Sequence, residues 1–528
     1  MTQSEKTTLN RREMLKRGIV GAASLAGSAF HAKGTQRASA QSTNRPNIII
    51  FHTDDQNYDS LGCYGNDVLT PNSDSLAEGG IRFDRAYTPT GVCTASRYAL
   101  VTGQYPSRCR TEAFHRRFPP GVMTEPAFNT HLAPGQDCIA SVLKTAGYDT
   151  GFVGKWDLGA FDGDRMQKYP RTKQWGGSWR ELDDNADPSD PAVSAVLEHN
   201  HTVMSECVKR FGFDYAEAVQ NNPESWGNRL MNYHNPEWIT QAAVDFIDRK
   251  RDKPFFLYLN HTLHHIPHPQ ESLLIGDPRM TLGGYLDRIP DIMPPRREIF
   301  DHVVREGYRP ETAWCTWMDV ALGVLLKRLA EHGISDNTLI IYFSDNNVPA
   351  KCTIYEDGIR VPMLLRYPAL VKGGRRSKQL VQNIDFAPTV FDLAGAEIPA
   401  GMNMDGISMK PLMHGEDGKI HDELFFEIGW TRACCTERWK YLAVRYPENM
   451  QDDKPKWHSN ALTNHQHHAL LWHPAFHYPD QLYDLDIDPH EVVNYSTNSQ
   501  YSGTLNDMKG RLRRWLKTFD NPFGEFTG

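Results

Sequence analysis

The sequence predicts an α/β protein: a large mixed, mostly parallel sheet flanked by helices, with a smaller C-terminal α+β subdomain containing a short antiparallel sheet. Three observations predict it. Short apolar, β-branched runs each hand over to polar residues at their carboxyl ends, helical stretches alternate with these runs, and near residue 400 the texture becomes turn-rich with short strand-like segments. At 528 residues the chain is too long for one simple core. Apolar content of 40% and aromatic content of 11% fit a globular protein rather than a disordered one. Formal net charge is −8, and no long basic run follows the first few dozen residues, which argues against a nucleic-acid partner.

Taken in order, the chain opens with paired arginines, Arg11 and Arg12, then a weakly apolar stretch from Gly18 to Phe30, then Ala38-Ser39-Ala40. This pattern reads as a twin-arginine export signal over 1–40 with cleavage after Ala40; it predicts the export machinery as a partner, a periplasmic or extracellular location, and no stable membrane span after cleavage. The apolar stretch is shorter than a spanning helix needs. Asn47 to Phe51 predicts a buried strand, with Asp54-Asp55 after it. Pro71 to Gly79 predicts a helix. Gly147 to Val153 predicts a second strand, leading into Gly154-Lys155-Trp156-Asp157. Residues 160–235, rich in Asp, Asn, Trp and Pro, resist assignment and read as a long insertion beside the crevice. Pro254 to Asn260 predicts a third strand, followed by a histidine-rich loop. Trp314, Trp317, Ala321, Val324, Leu325 and Leu329 have helical spacing, and Thr338 to Phe343 predicts a fourth strand before Asp345-Asn346. The main domain is expected to span 41–400 and the smaller one 401–528, with strands near Glu423 to Ile428 and Tyr441 to Arg445 and a closing helix over Leu505 to Phe519.

In an open α/β sheet the carboxyl edge of the strands is where ligands bind. Asp54, Asp55, Lys155, the histidine loop, Asp345 and Asn346 should therefore converge. Three carboxylates and an amide offer hard oxygen ligands, which suits calcium or magnesium rather than zinc. An isolated Asp-Asp more often caps a turn or helix; two such pairs at two strand ends favour a metal site. Cys93 precedes a stretch that could be helical, so it would sit near a helix N-terminus where an anion is favoured, with Arg97 one turn on. A lone cysteine is usually a small core residue. Nine cysteines are an odd number, so at least one stays unpaired or is modified unless it bonds another chain.

Cys93-Thr94-Ala95-Ser96-Arg97 resembles the signature of the sulfatase family. Other segments agree: Arg45-Pro46-Asn47-Ile48 through Asp55; Thr102-Gly103-Gln104-Tyr105-Pro106; Gly154-Lys155-Trp156-Asp157-Leu158-Gly159; Ser344-Asp345-Asn346; Lys351 to Pro362; and Leu482-Tyr483-Asp484-Leu485. The resemblance spans about Arg45 to Asn494. It implies that a maturation enzyme oxidises Cys93 to formylglycine, the nucleophile. It implies calcium bound by Asp54, Asp55, Asp345 and Asn346 together with the modified Cys93. It further implies that Arg97 stabilises the hydrated aldehyde, that Lys155 and Lys351 grip sulfate, and that His265 stands near the leaving group; a shifted register would make this His261 or His268. The expected reaction is in-line attack on sulfur by the hydrate, then elimination of sulfate through its second hydroxyl, which an ordinary serine lacks.

The chain departs from the family pattern in two places. Asp157 stands where the family usually has histidine; it could act as a base if burial raises its pKa, or pair with Lys155. The gap between Asn346 and Lys351 is short. Sulfated carbohydrate is the expected substrate class. The rival readings are a phosphoryl or phosphonate ester hydrolase of the same superfamily and a non-catalytic glycan-binding homologue. A late cluster of His465, His467, His468, His473 and His477, with Trp472 and Phe476, reads as a solvated loop, or else as a substrate rim or second metal site.

Overall fold

Strand β1 (Asn47–Thr53, NIIIFHT) is buried along its whole length, as a continuous β-branched run requires. Its alternate side chains feed two cores: Ile48 and Ile50 join one, Ile49 and Phe51 the other. The first core takes the helices Cys93–Thr102, Ile139–Thr145 and Phe386–Ala394, and the second takes Pro71–Glu78, Pro236–Asp248 and Ala313–Glu331. The sheet is thus covered by helices on both faces. This computed structural model describes residues 45–159, 178–221, 229–266, 269–416, 418–447 and 471–526. Residues Arg45–Gly528 form one compact unit. Residues 1–40, where an export signal was expected, lie outside the described residues.

The remaining strands are β2 (Ile81–Phe83), β3 (Ala86–Tyr87), β4 (Asp149–Lys155), β5 (Tyr215–Gln220), β6 (Phe255–Asn260), β7 (Met280–Thr281), β8 (Gly284–Tyr285), β9 (Thr338–Ser344), β10 (Met363–Arg366), β11 (Arg375–Ser377), β12 (Val381–Gln382), β13 (Leu424–Ile428), β14 (Thr431–Cys435), β15 (Trp439–Val444) and β16 (Asp480–Asp484). The main sheet has eight strands in the order β11-β2-β10-β9-β1-β6-β4-β5. All its pairings are parallel except those β10 makes with β2 and β9. The four strands expected from sequence are its centre, β9-β1-β6-β4. The other four were not legible, β2, β10 and β11 because three or four residues carry too little periodicity.

The expected insertion over 160–235 is corrected in part: it contains the 19-residue helix Pro191–Lys209 and the edge strand β5. That helix starts where Asp190 accepts from Ala192 N–H and Pro191 takes the first turn, a signature visible in the sequence. All nine cysteines are free, and all but Cys63 are buried. Among the described residues, no helix is long and apolar enough to cross a membrane.

The second sheet, β13-β14-β15-β16, is antiparallel, and the helix Ser502–Leu516 packs Met508, Leu512 and Leu516 against Phe425, Cys434 and Tyr441. It packs on the rest of the unit through a buried apolar cluster that includes Val92, Ile359, Phe426 and Ile428, and through buried polar groups. Lys440 on β15 lies 3.1 Å from Glu356 and 3.0 Å from Glu491, all three buried. His473 stacks on Tyr355 with centroids 3.7 Å apart, and its Nδ1 lies 3.2 Å from the Glu491 carbonyl. The solvated-loop expectation therefore fails for His473, which is core. His477 contacts Tyr446, whereas His465, His467 and His468 fall outside the described residues.

Burial pushes the Glu491 carboxyl up to about 8, with Lys440 opposing and Glu356 adding to the rise. A carboxyl raised in the folded state binds more protons than in the unfolded chain, so stability falls as pH climbs from about 4.5 to about 8. The melting temperature is expected to decline across that window, and Glu491→Gln to flatten the decline; calorimetry at stepped pH checks both.

Candidate active site

The carboxyl ends of four neighbouring strands build the site. Thr53 pairs with Ser344, so Asp54-Asp55 and Asp345-Asn346 leave the sheet side by side. Asn260 pairs with His52 on one side and Gly154 on the other, which brings Lys155 to the same level. Lys155 is the last residue of β4, two residues beyond the strand end expected at Val153. Gly154 has φ +97°, and a Cβ there would meet the Asn260 carbonyl oxygen at 1.8 Å, so this strand end requires glycine.

Cys93 is the first residue of the helix Cys93–Thr102, and every residue of that helix is buried. No side-chain hydrogen bond from Val92 caps the N-terminus, and the helix dipole there favours an anion. The loop before it is gripped by the Lys351 segment: Cys352 N–H donates to the Gly91 carbonyl at 2.7 Å. The short gap after Asn346 is long enough. Lys351 Nζ reaches Asp55 Oδ2 at 2.7 Å.

Lys155 Nζ donates to Asp54 Oδ2 at 2.5 Å and stands 4.0 Å from Asp157 Oδ2. Lys155 thus pairs with Asp54 at short range and, more distantly, with Asp157, as one of the two expectations for Asp157 had it. Asp157 Oδ2 accepts from Thr94 Oγ1 at 3.0 Å, one residue from Cys93. Arg97, fully buried, donates to Asp345 Oδ2 from Nη2 at 2.8 Å and Nε at 3.1 Å, and from Nη1 to Asn260 Oδ1 at 2.6 Å. Asp345 Oδ1 accepts from Asp55 N–H at 3.1 Å and from Asn346 Nδ2 at 3.0 Å. His265 Nε2 lies 3.5 Å from Asp55 Oδ2, while its Nδ1 is 2.6 Å from the Ile266 carbonyl. Of the alternatives weighed, His261 is buried with its ring against Phe51, and His268 lies outside the described residues; the neighbouring His264 has its Nδ1 3.9 Å from Cys315 Sγ. Asp55, Asp157 and Cys352 all have positive φ, strain concentrated at one place.

Burial raises the Asp54 carboxyl, but Lys155, then His265 and Arg97, outweigh it and hold it below its ordinary value. Burial likewise raises Asp55, and His265 and Lys351 bring it below its ordinary value. Burial pushes the Cys93 thiol up, only partly opposed by Lys155 and Lys351, so the unmodified side chain is a neutral thiol at pH 7 and a poor nucleophile. Lys351 loses by burial and gains more from Asp55, so it stays charged.

A cation fits here. Asp54 Oδ1, Asp55 Oδ1 and Asn346 Oδ1 are buried with no hydrogen-bond donor, which is costly unless something positive faces them. Ligand atoms of Asp54, Asp55 and His265 all lie within 4.8 Å of one another. The donor set is mostly hard oxygen. Sequence reading missed Thr94, His52, Tyr258 and Asn260. Asn260 obeys the rule that found the carboxylates, a polar residue at a strand's carboxyl end.

The Sulfatase family model matches residues 46–396, and a model of the N-sulphoglucosamine sulphohydrolase C-terminal region matches residues 348–518. Human arylsulfatase A is 27% identical over 507 residues, covering 89% of this chain and 86% of that protein. An N-acetylglucosamine-6-O-sulfatase of Bacteroides thetaiotaomicron is 24% identical over 530 residues, covering 91% and 88%. Among solved structures, a phosphonate monoester hydrolase of Agrobacterium radiobacter shares the fold at a TM-score of 0.57 and 18% identity, covering 90% of this chain and 96% of that one.

Proposed function

Because the chain belongs to the sulfatase family and is a sulfuric ester hydrolase, we propose that it cleaves sulfate esters of carbohydrate with a formylglycine made from Cys93 and a calcium ion. One observation carries the mechanism: three donorless buried oxygens, on Asp54, Asp55 and Asn346, lie in the same site as two lysines and the helix headed by Cys93.

Asp54, Asp55, Asp345 and Asn346 would hold the calcium, with the modified residue 93 completing the set. When bound, the ion supplies positive charge that makes a neighbouring hydroxyl more acidic. Formylglycine, once hydrated, supplies a hydroxyl nucleophile and a second hydroxyl for release of sulfate. The chain's own residues do the rest. Arg97 fixes Asp345 and faces the aldehyde position. Lys155 and Lys351 bind sulfate oxygens, and His265 gives a proton to the departing alcohol through Nε2. Asp157, held beside Thr94, accepts the proton released at residue 93. The carbohydrate substrate is supported by the N-acetylglucosamine-6-O-sulfatase relative. The reading also includes a maturation enzyme for Cys93 and twin-arginine export to the periplasm or beyond, which the Arg11-Arg12 and Ala38-Ser39-Ala40 segments support.

The test is coexpression with a formylglycine-generating enzyme, mass spectrometry of the peptide containing Cys93, and assay on sulfated saccharides with a phosphonate monoester as competitor. The expected result is aldehyde or hydrate at residue 93, with turnover of a sulfated saccharide that EDTA abolishes and calcium restores. An unconverted thiol, in a host that converts a known sulfatase, overturns the mechanism. Faster turnover of the phosphonate overturns the substrate.

A further inference from the structure

Arg97 is held from below by a neutral polar chain that none of the proposed catalytic roles uses. Its Nη1 donates to Asn260 Oδ1 at 2.6 Å and to the Lys155 carbonyl at 3.3 Å. Asn260 Nδ2 donates to the Tyr258 carbonyl at 3.3 Å, which fixes the amide with its oxygen toward Arg97. That same oxygen lies 2.9 Å from His52 Nδ1. Since Asn260 Oδ1 can only accept, His52 Nδ1 carries the proton and donates to it. Tyr258 Oη, 3.0 Å from His52 Nδ1, closes the cluster. His52, Tyr258, Asn260 and Arg97 are each fully buried. The arrangement follows from register: His52 on β1 faces Asn260 on β6, and Tyr258 lies two residues back on the same face.

We propose that His52 and Asn260 are positioning residues that aim Arg97 at Asp345 while leaving its positive charge undivided. The geometry gives the reason for an amide. Arg97 makes its charged contacts on one side, with two N–H groups on Asp345 Oδ2 and Nη2 3.8 Å from Asp54 Oδ1. On the other side it meets only neutral acceptors. A carboxylate in place of Asn260 would draw the guanidinium toward β6 and share its charge between two sides. An apolar residue would leave a buried N–H with one acceptor fewer. His52 keeps the Asn260 oxygen from rotating away, because it fills the second lone pair.

The inference rests on the sulfatase reading, so the wild-type chain, matured and assayed with calcium, is the control; if it is inactive, that reading has failed and not this one. In an active background, Asn260→Asp is expected to lower kcat at least tenfold at saturating calcium with KM within about twofold, formylglycine content unchanged by mass spectrometry and the melting temperature within a few degrees. Unchanged kcat overturns the proposal, and so does a loss of activity that only tracks the folded fraction. A second pair removes dependence on one variant. His52→Gln keeps an amide donor for Asn260 and is expected to stay within threefold of wild-type kcat, whereas His52→Met lacks it and falls further. Equal activity in the two overturns the role given to His52.

Discussion

Cys93→Ser, coexpressed with the same maturation enzyme, loses sulfate ester turnover by on the order of 10^4-fold or more, while its melting temperature moves by less than about 4 °C. The two side chains have nearly the same shape, and residue 93 would still head the helix Cys93–Thr102. What disappears is the oxidisable thiol. A serine hydroxyl can attack sulfur once, yet it has no second hydroxyl through which to release sulfate, so one burst of product without turnover is the most it could give. Rapid-quench kinetics against intact-mass spectrometry measures this. Steady turnover by the serine variant would show that residue 93 is not the nucleophile.

The second large effect concerns stability. Arg97→Met is expected to cost about 3–5 kcal/mol, because it leaves Asp345 as a buried carboxylate stripped of a twofold guanidinium contact. Adding Asp345→Asn to that variant should recover much of the loss, since the charge needing compensation is gone, but none of the activity, since a proposed metal ligand has gone with it. Chemical denaturation of the four members of this cycle gives the coupling directly. If the double variant is no more stable than Arg97→Met alone, the buried pair is not what holds this part of the sheet edge.

How far the site was legible depends on where each residue sits in its element. Asp54-Asp55 and Asp345-Asn346 stood out because they follow long apolar runs, and a polar pair after a buried strand is a signal periodicity can find. Cys93 needed the motif around it, since a buried cysteine by itself is ordinary. Lys155 was found for its neighbours although it lies inside β4. His52 and Asn260 were passed over because a polar residue within an apolar run reads as noise until the register shows the two facing each other. Asp157 was visible as a departure, but only Thr94 and the distance to Lys155 say what it touches. In the fold, the long central strands were plain, and the antiparallel flank of β2 and β10 was not, because strands this short are defined by their partners rather than by their own sequence. The helix Pro191–Lys209 is a different miss: its start carried a clear Asp-Pro signal, obscured by the polar residues before it.

The ion pairs at the strand ends fix an order of assembly. Asp54, Asp55, Asp345 and Asp157 face Lys155, Lys351 and Arg97, four carboxylates against three positive charges inside the protein. The three cations offset most of the repulsion between the carboxylates and leave the site one negative charge in excess. A divalent ion that enters would turn that negative excess into a positive one. An anionic ester would then be attracted to the loaded enzyme and not to the empty one, so metal loading would come before substrate capture.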